Sequence, residues 1–419
     1  MGKSIAGAGF YSGIAGAWGT QAYRLGVLAL ALASGLVLVA CGGSGTTSSS
    51  EPAAAAPSAA APSAAPLETS AAEESADNTL PTAEQRAMIE AETEAATGDL
   101  VWDGPITPAP APADKHLVML LCPVFLEGCN VAAIAGVEVA EALGWKLTQI
   151  EVEDPSTLSA SFQQALNIGA DAILIEGFSD ALYPVELVKE AKAKGIPVVD
   201  QAGDLTPSPK GPDYSETINA IDLGRLMANV IMLQTDFQAK MISYETEEYE
   251  SAVTYQREVV RWMEENCTDC ELIATQQFVS SQMGTTLGSS TVADVRSNPE
   301  ANVVLTPFDA FGTVQIPALQ TAGLCDQVGV YSYSGNQVNL KWVAEGNCQA
   351  ATISNNIPWS TWAAVDNIIR LLNGQPVEAQ RVPMKLFTPE NAPSDGVWNA
   401  EMDGVDYRGE YSKLWGIGG

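Results

Sequence analysis

Gly169-Ala170-Asp171-Ala172-Ile173-Leu174-Ile175 and, one helix later, Ala193-Lys194-Gly195-Ile196-Pro197-Val198-Val199 decide how this chain folds. In each, a helix ends at glycine, which enters a left-handed cap without steric cost, and the chain runs into an apolar strand. Ala142-Leu143-Gly144-Trp145 does the same one unit earlier. A helix stopped by Gly before a Val/Ile strand is common. Three in order at these intervals are a stronger sign.

Working outward, short apolar runs alternate with amphipathic stretches. Residues 116–125, 145–152, 172–175 and 196–200 read as strands, and 130–143, 158–168 and 182–194 as helices. The pattern then recurs, with helices predicted over 223–233, 252–265, 285–297, 314–322 and 359–372. Strands are predicted over 240–244, 272–278, 303–305, 328–331 and 350–353, and near 382–387. Alternation at these lengths requires right-handed crossovers and parallel pairing. The expected class is α/β, with two doubly wound parallel-sheet lobes.

The N-terminal end is of another kind. An apolar run over 25–39 follows Arg24 and ends in Leu38-Val39-Ala40-Cys41. A positive flank, a short apolar stretch and small residues before a cut describe a secretory signal. The run is short for about 30 Å of hydrocarbon. Cys41 after small residues resembles the lipobox of exported lipoproteins, which implies lipidation of its thiol and attachment to the membrane. Residues 42–80 are Ala, Pro, Ser, Thr and Glu with almost nothing to bury, a flexible leash. Thr82-Ala83-Glu84-Gln85 has the form of a capping box opening a polar helix to about Ala96.

Composition excludes several functions. A net charge of −31 and 46% hydrophobic content argue against nucleic-acid binding and for an acidic exported protein with room for two cores. The one histidine, His116, leaves little scope for a His-based triad or zinc site. No phosphate loop, nucleophile elbow or paired metal-ligand motif is present, so no cofactor, no metal and no enzymatic activity are expected. A glycosidase using cleft carboxylates stays formally open. Beyond Cys41 an even six cysteines remain, and export favours disulfides. Close spacing nominates Cys122–Cys129, Cys267–Cys270 and Cys325–Cys348, the first contributing roughly 2.5 kcal/mol by loop entropy. Cys267-Thr268-Asp269-Cys270 follows a helix instead of opening one, so it reads as a structural bridge and not a redox pair.

Over about residues 101–388 the three glycine-strand marks, with Trp102-Asp103-Gly104-Pro105 at the entry, resemble the periplasmic substrate-binding proteins of the sugar type (type I) that serve ATP-driven ABC importers. The resemblance implies two lobes joined by three crossings, near Asn219, Asn355 and Thr388, with the ligand at the carboxyl ends of the sheets. It divides the chain into a signal peptide (1–40), a lipidated linker (41–114), a first lobe (115–218 plus 355–388) and a second lobe with tail (219–354 plus 389–419).

Candidate ligand contacts follow from the strand ends. After the first strand come Phe125 as a stacking face and Glu127 and Asn130 as hydrogen-bonding groups, although Phe125 also suits a core and Asn130 a helix cap. Phe178, Ser179 and Asp180 end the third strand, where the family's Asp-Arg-like pair is absent; Asp180 also suits a cap. Asp200 and Gln201 end the fourth. In the second lobe Tyr244 and Glu245 follow a strand, and Phe308-Asp309 stands where the family has Asn-Asp. Tyr333, with Ser334 and Gly335, stands where the family often has Asp-Gly. Asn355 lies at the second crossing. Trp359 opens the last helix, with burial in the core as its alternative.

Acidic and aromatic groups recur at these positions without lysine or arginine, so an anionic ligand would lack a fixed counter-charge. The expected ligand is a sugar or other neutral polyol, the alternative a cationic or nucleoside-like solute. The expected role is solute capture by a monomer for an ABC permease and ATPase. The alternative is a ligand-responsive sensor subunit.

Overall fold

The structure is a computed structural model that describes residues 80–203, 211–216 and 219–418. Cys41, the signal run and the leash up to residue 79 lie outside the described residues.

In the first lobe the order is β1 (His116–Leu121), α2 (Glu127–Leu143), β2 (Lys146–Glu151), α3 (Leu158–Asn167), β3 (Ala172–Glu176), α4 (Val185–Ala193), β4 (Val198–Gln201) and β5 (Tyr214–Glu216), preceded by α1 (Ala83–Ala95). The second lobe follows with α5 (Ala220–Gln234), β6 (Lys240–Glu245), α6 (Glu250–Asn266), β7 (Glu271–Gln277), α7 (Gly288–Ser297), β8 (Val303–Leu305), α8 (Asp309–Ala322), β9 (Gly329–Tyr333), α9 (Gln337–Ala344) and β10 (Gln349–Ser354). Then come α10 (Ile357–Leu372), β11 (Lys385–Phe387) and α11 (Tyr407–Trp415).

The first sheet runs β2-β1-β3-β4-β5, all parallel, and the second β7-β6-β8-β9-β10 in the same sense. The two lobes therefore share one strand order, with β11 added antiparallel beside β10. Full burial of β1 and β3 explains their unbroken apolar sequences, since helices cover both faces of a parallel sheet. The quoted glycines do what their positions require: Gly144 caps α2 at φ +65°, and Gly169 and Gly195 also lie at positive φ before strands.

The chain passes from the first sheet to the second lobe between Glu216 and Asn219, and returns through Asn355 and Asn356 to α10, which packs on β4, β5 and α2. Two expectations fail beyond that point. The strand near 382–387, assigned to the first lobe, is β11 in the second sheet, so the chain has already crossed before Thr388. The tail 389–419, assigned to the second lobe, crosses back and buries α11 in the first. Trp362 stacks on Trp415 at 5.3 Å, Trp359 on Tyr407 at 5.2 Å, and Trp415 donates to Asp366 at 2.8 Å. The reason is aromatic area: Tyr407, Tyr411 and Trp415 find their apolar partners on α10 and on Trp102.

The linker helix is also docked. The α1 helix has the expected capping box at Thr82, packs on α5 and buries Ile89 completely. The following segment lies on the first lobe, where Trp102 stacks on Trp359 at 5.5 Å and Ala109 and Ala111 donate to the last turn of α11. The three disulfides pair Cys122–Cys129, Cys267–Cys270 and Cys325–Cys348, with Cα separations of 5.5, 5.4 and 4.7 Å. No helix among the described residues is long and apolar enough to cross a membrane.

Candidate functional site

The carboxyl ends of both sheets face one another across a narrow cleft. On the first-lobe side it is lined by the Cys122–Cys129 bridge, Leu126, Glu176, Gly177 and Ala202, and on the other by Tyr249, Ser251, Phe308, Tyr333 and Asn336. The turn backbones here are held in uncommon conformations: Ala202 has φ +60° and Ser334 φ +131°. Such conformations cost about 1–3 kcal/mol each and gather at ligand sites. Gly177 is favoured on two counts. It sits at φ +51°, and an added Cβ would lie 3.1 Å from the Ala202 and Gln201 carbonyl oxygens.

Three rings form the second-lobe wall. Tyr249 meets Phe308 edge-on at 5.4 Å, and Phe308 meets Tyr333 at 6.4 Å. Phe178 stands behind Tyr249 from the other lobe at 6.2 Å. Opposite them Glu176 ends β3, only 7% exposed, and its Oε2 has no hydrogen-bond partner among the described residues. Burial pushes this carboxyl up to about 8 from the usual 4.5. No lysine or arginine lines the cleft among the described residues.

The lobes touch directly. Gln337 donates its backbone N–H to Glu127 at 2.8 Å, and Ser179 donates to the Glu248 carbonyl at 3.0 Å. The cleft encloses about 70 Å³. That is well under the roughly 150 Å³ that holds a benzene ring, so this is a closed arrangement and a ring-sized solute requires the lobes to part.

Of the residues read from the sequence, Phe308 and Tyr333 line the cleft, Phe178 backs it, and Glu127 and Ser179 bridge its rim. Gln201 is buried beside it and donates to Thr361 at 2.9 Å, with its Oε1 unpartnered among the described residues. Asp200 is buried at the same strand end. Asn355 is buried at the second crossing without lining the cleft, its Oδ1 unpartnered among the described residues. Asp180 opens a single turn, Asp180–Leu182, and its side chain lies outside the described residues.

Other candidates are placed elsewhere. Phe125 is 68% exposed and Asn130 is exposed on α2, because the chain turns immediately after β1 and buries Leu126 instead. Tyr244 is core, packed on Phe278 and donating to Asp294 at 2.8 Å. Glu245 accepts from Gln277 at 2.8 Å on the far edge of the sheet. Trp359 is fully buried between Trp102 and Tyr407, so the core reading holds. Asp309 is occupied: it accepts from Ser332, from Thr352 at 2.7 Å and from the Asn336 backbone at 2.8 Å, and burial still pushes it up to about 7. His116 sits at the opposite end of β1, bonded to Thr148 at 2.8 Å.

Sequence reasoning missed Glu176 and Tyr249. The apolar pattern of the third strand stops at Ile175, but an acid after four apolar strand residues and before Gly177 is a signal. Tyr249 lies four residues beyond the end of β6, and only the loop's fold returns it to the cleft.

Comparisons with known proteins agree with this architecture. The profile of the family described as periplasmic binding protein domain matches residues 131–376, more than half of the chain. No curated protein sequence matches. Among solved structures, a sugar ABC transporter protein from Yersinia enterocolitica superposes with a TM-score of 0.63 at 15% identity, covering 74% of this chain and 99% of that one. An ABC transporter periplasmic solute-binding protein from Actinobacillus succinogenes with bound D-allose gives 0.60 at 16% identity, covering 67% and 99%. The Caulobacter myo-inositol binding protein also gives 0.60 at 16%, covering 68% and 96%. At these identities the superpositions show a shared fold. Together with the profile match over most of both lobes, they place this chain in the periplasmic binding protein family, extracytoplasmic proteins that capture solutes and catalyse no reaction.

Proposed function

We propose that the protein captures a sugar or polyol between its lobes and delivers it to an ABC permease and ATPase, held at the membrane by a lipid on Cys41. The observation that carries the ligand class is the cleft wall itself: the rings of Tyr249, Phe308 and Tyr333 together with hydrogen-bonding groups, at the carboxyl ends of both sheets. Structural relatives that hold D-allose and myo-inositol support it. Phe308 and Tyr333 from the sequence reading are the contacts we retain, joined by Glu176, Tyr249 and Asn336. Closure around the solute would present both lobes to the permease as one surface.

The test is a thermal-shift screen of the purified protein against neutral sugars and polyols, since a ligand bound only by the native state raises the melting temperature. A rise that Phe308→Ala abolishes supports the reading, and no rise with any member removes it. Tethering is tested separately by Cys41→Ser, which is expected to move the protein from the membrane to the soluble fraction.

A further inference from the structure

The cleft combines two features that favour the same kind of charge. Glu176 brings a buried carboxyl whose Oε2 is unpartnered among the described residues, a costly arrangement unless the solute supplies a donor. The same cleft is lined by rings whose faces are negative: Tyr249, Phe308 and Tyr333. Burial raises the Tyr249 phenol, and the nearby acids Glu248 and then Glu176 add to it. Among the described residues no lysine or arginine lines the space to balance this acid.

A neutral hydroxyl would use the carboxyl as an acceptor and gain little from the ring quadrupoles. An ammonium group gains from both, and the low dielectric of a closed cleft strengthens each attraction. An anion gains from neither. The rest of the wall suits hydroxyls: Ser251, Ser334 and Asn336, whose Nδ2 is unpartnered among the described residues.

We infer that the solute is a sugar or polyol bearing a protonated amine, with the ammonium against Glu176 beside the Tyr249 and Phe308 rings and the hydroxyls toward Ser334 and Asn336. This rests on the solute-capture reading above and narrows it to one chemical class.

The test uses matched pairs at neutral pH, where an ammonium close by would favour the ionised Glu176 carboxyl against its burial: glucosamine against glucose, galactosamine against galactose, and 1-amino-1-deoxysorbitol against sorbitol, with affinity read by titration calorimetry. The amine of at least one pair is expected to bind tenfold or more tighter than its neutral partner. Glu176→Gln, which keeps the shape but cannot carry a charge, is expected to remove the difference in affinity between each amine and its neutral partner, whatever it does to the affinity of both. Phe308→Leu keeps apolar area without the quadrupole and is expected to reduce the preference severalfold, a second readout should the first variant fold poorly. Neutral members binding as tightly as their amines, or a preference that survives both substitutions, overturns the inference and leaves sugar capture standing. If no member of any pair binds, both readings fail.

Discussion

Glu127, the first residue of α2 in one lobe, accepts a 2.8 Å hydrogen bond from the backbone N–H of Gln337, the first residue of α9 in the other. Helix N-termini leave N–H groups unpaired, and Asn336 offers α9 no side-chain cap. A carboxylate is well suited to that position, where the helix dipole is positive. The first lobe therefore caps a helix of the second only when the cleft is shut.

Glu127→Ala is accordingly expected to weaken solute binding by roughly tenfold, the worth of about 1–1.5 kcal/mol for one hydrogen bond. Glu127→Gln keeps an acceptor oxygen and should recover most of the loss. Calorimetric titration of both variants checks this, and equal affinity in wild type and Glu127→Ala would show that the bond contributes nothing to closure.

Trp359→Ala should cost stability instead of specific contacts. Its ring is fully buried between Trp102 and Tyr407, and truncation of such a side chain costs about 3–5 kcal/mol. Denaturant unfolding should show a clear drop in midpoint, while Phe125→Ala, at a 68% exposed residue, should stay within about 0.5 kcal/mol of wild type.

Lys385 and Asp403 form a nearly buried ion pair at 2.8 Å that ties β11 to the returning tail. Asp403→Ala leaves the lysine in an apolar site, with only the more distant Asp99 at 3.9 Å. A loss of about 3 kcal/mol is expected from urea melts. Asp403→Asn, which still accepts a hydrogen bond, should lose less.

Glu176 gives a pH dependence of definite sign. Its carboxyl is raised from 4.5 to about 8 by burial, so the fold favours the protonated form. That contribution is complete below about pH 4.5 and is lost as pH rises through about 8. Ligand-free wild type should therefore lose stability relative to Glu176→Gln across this window, by up to a few kcal/mol. Parallel melting curves of the two proteins with pH would contradict the assignment.

The bridge between Cys122 and Cys129 holds the loop from β1 into α2 along the cleft wall. Replacing both with alanine should lower stability by roughly 2.5 kcal/mol. It should also weaken binding, because the loop must then be ordered when the solute arrives. Unchanged affinity in the double variant would separate the loop from recognition.

The repeating architecture was legible in the amino-acid order alone. Glycine caps such as Gly169 and Gly195 and the apolar runs after them are local signals, set by backbone sterics and by a strand buried on both faces. Close spacing was likewise enough to nominate the three cysteine pairs. Which strand-end residue faces the cleft depends instead on long-range packing. Phe125 and Leu126 are neighbours of similar hydrophobicity, yet a turn after Leu121 exposes the first and buries the second. Tyr244 and Tyr249 differ in the same way, one in the core and one on the cleft wall, because only the fold of the intervening loop returns the chain to the opening. The tail was illegible for a related reason. Tyr407, Tyr411 and Trp415 show that apolar area must be covered, but which lobe covers it depends on where α10 and Trp102 have already been placed by contacts far away in the chain.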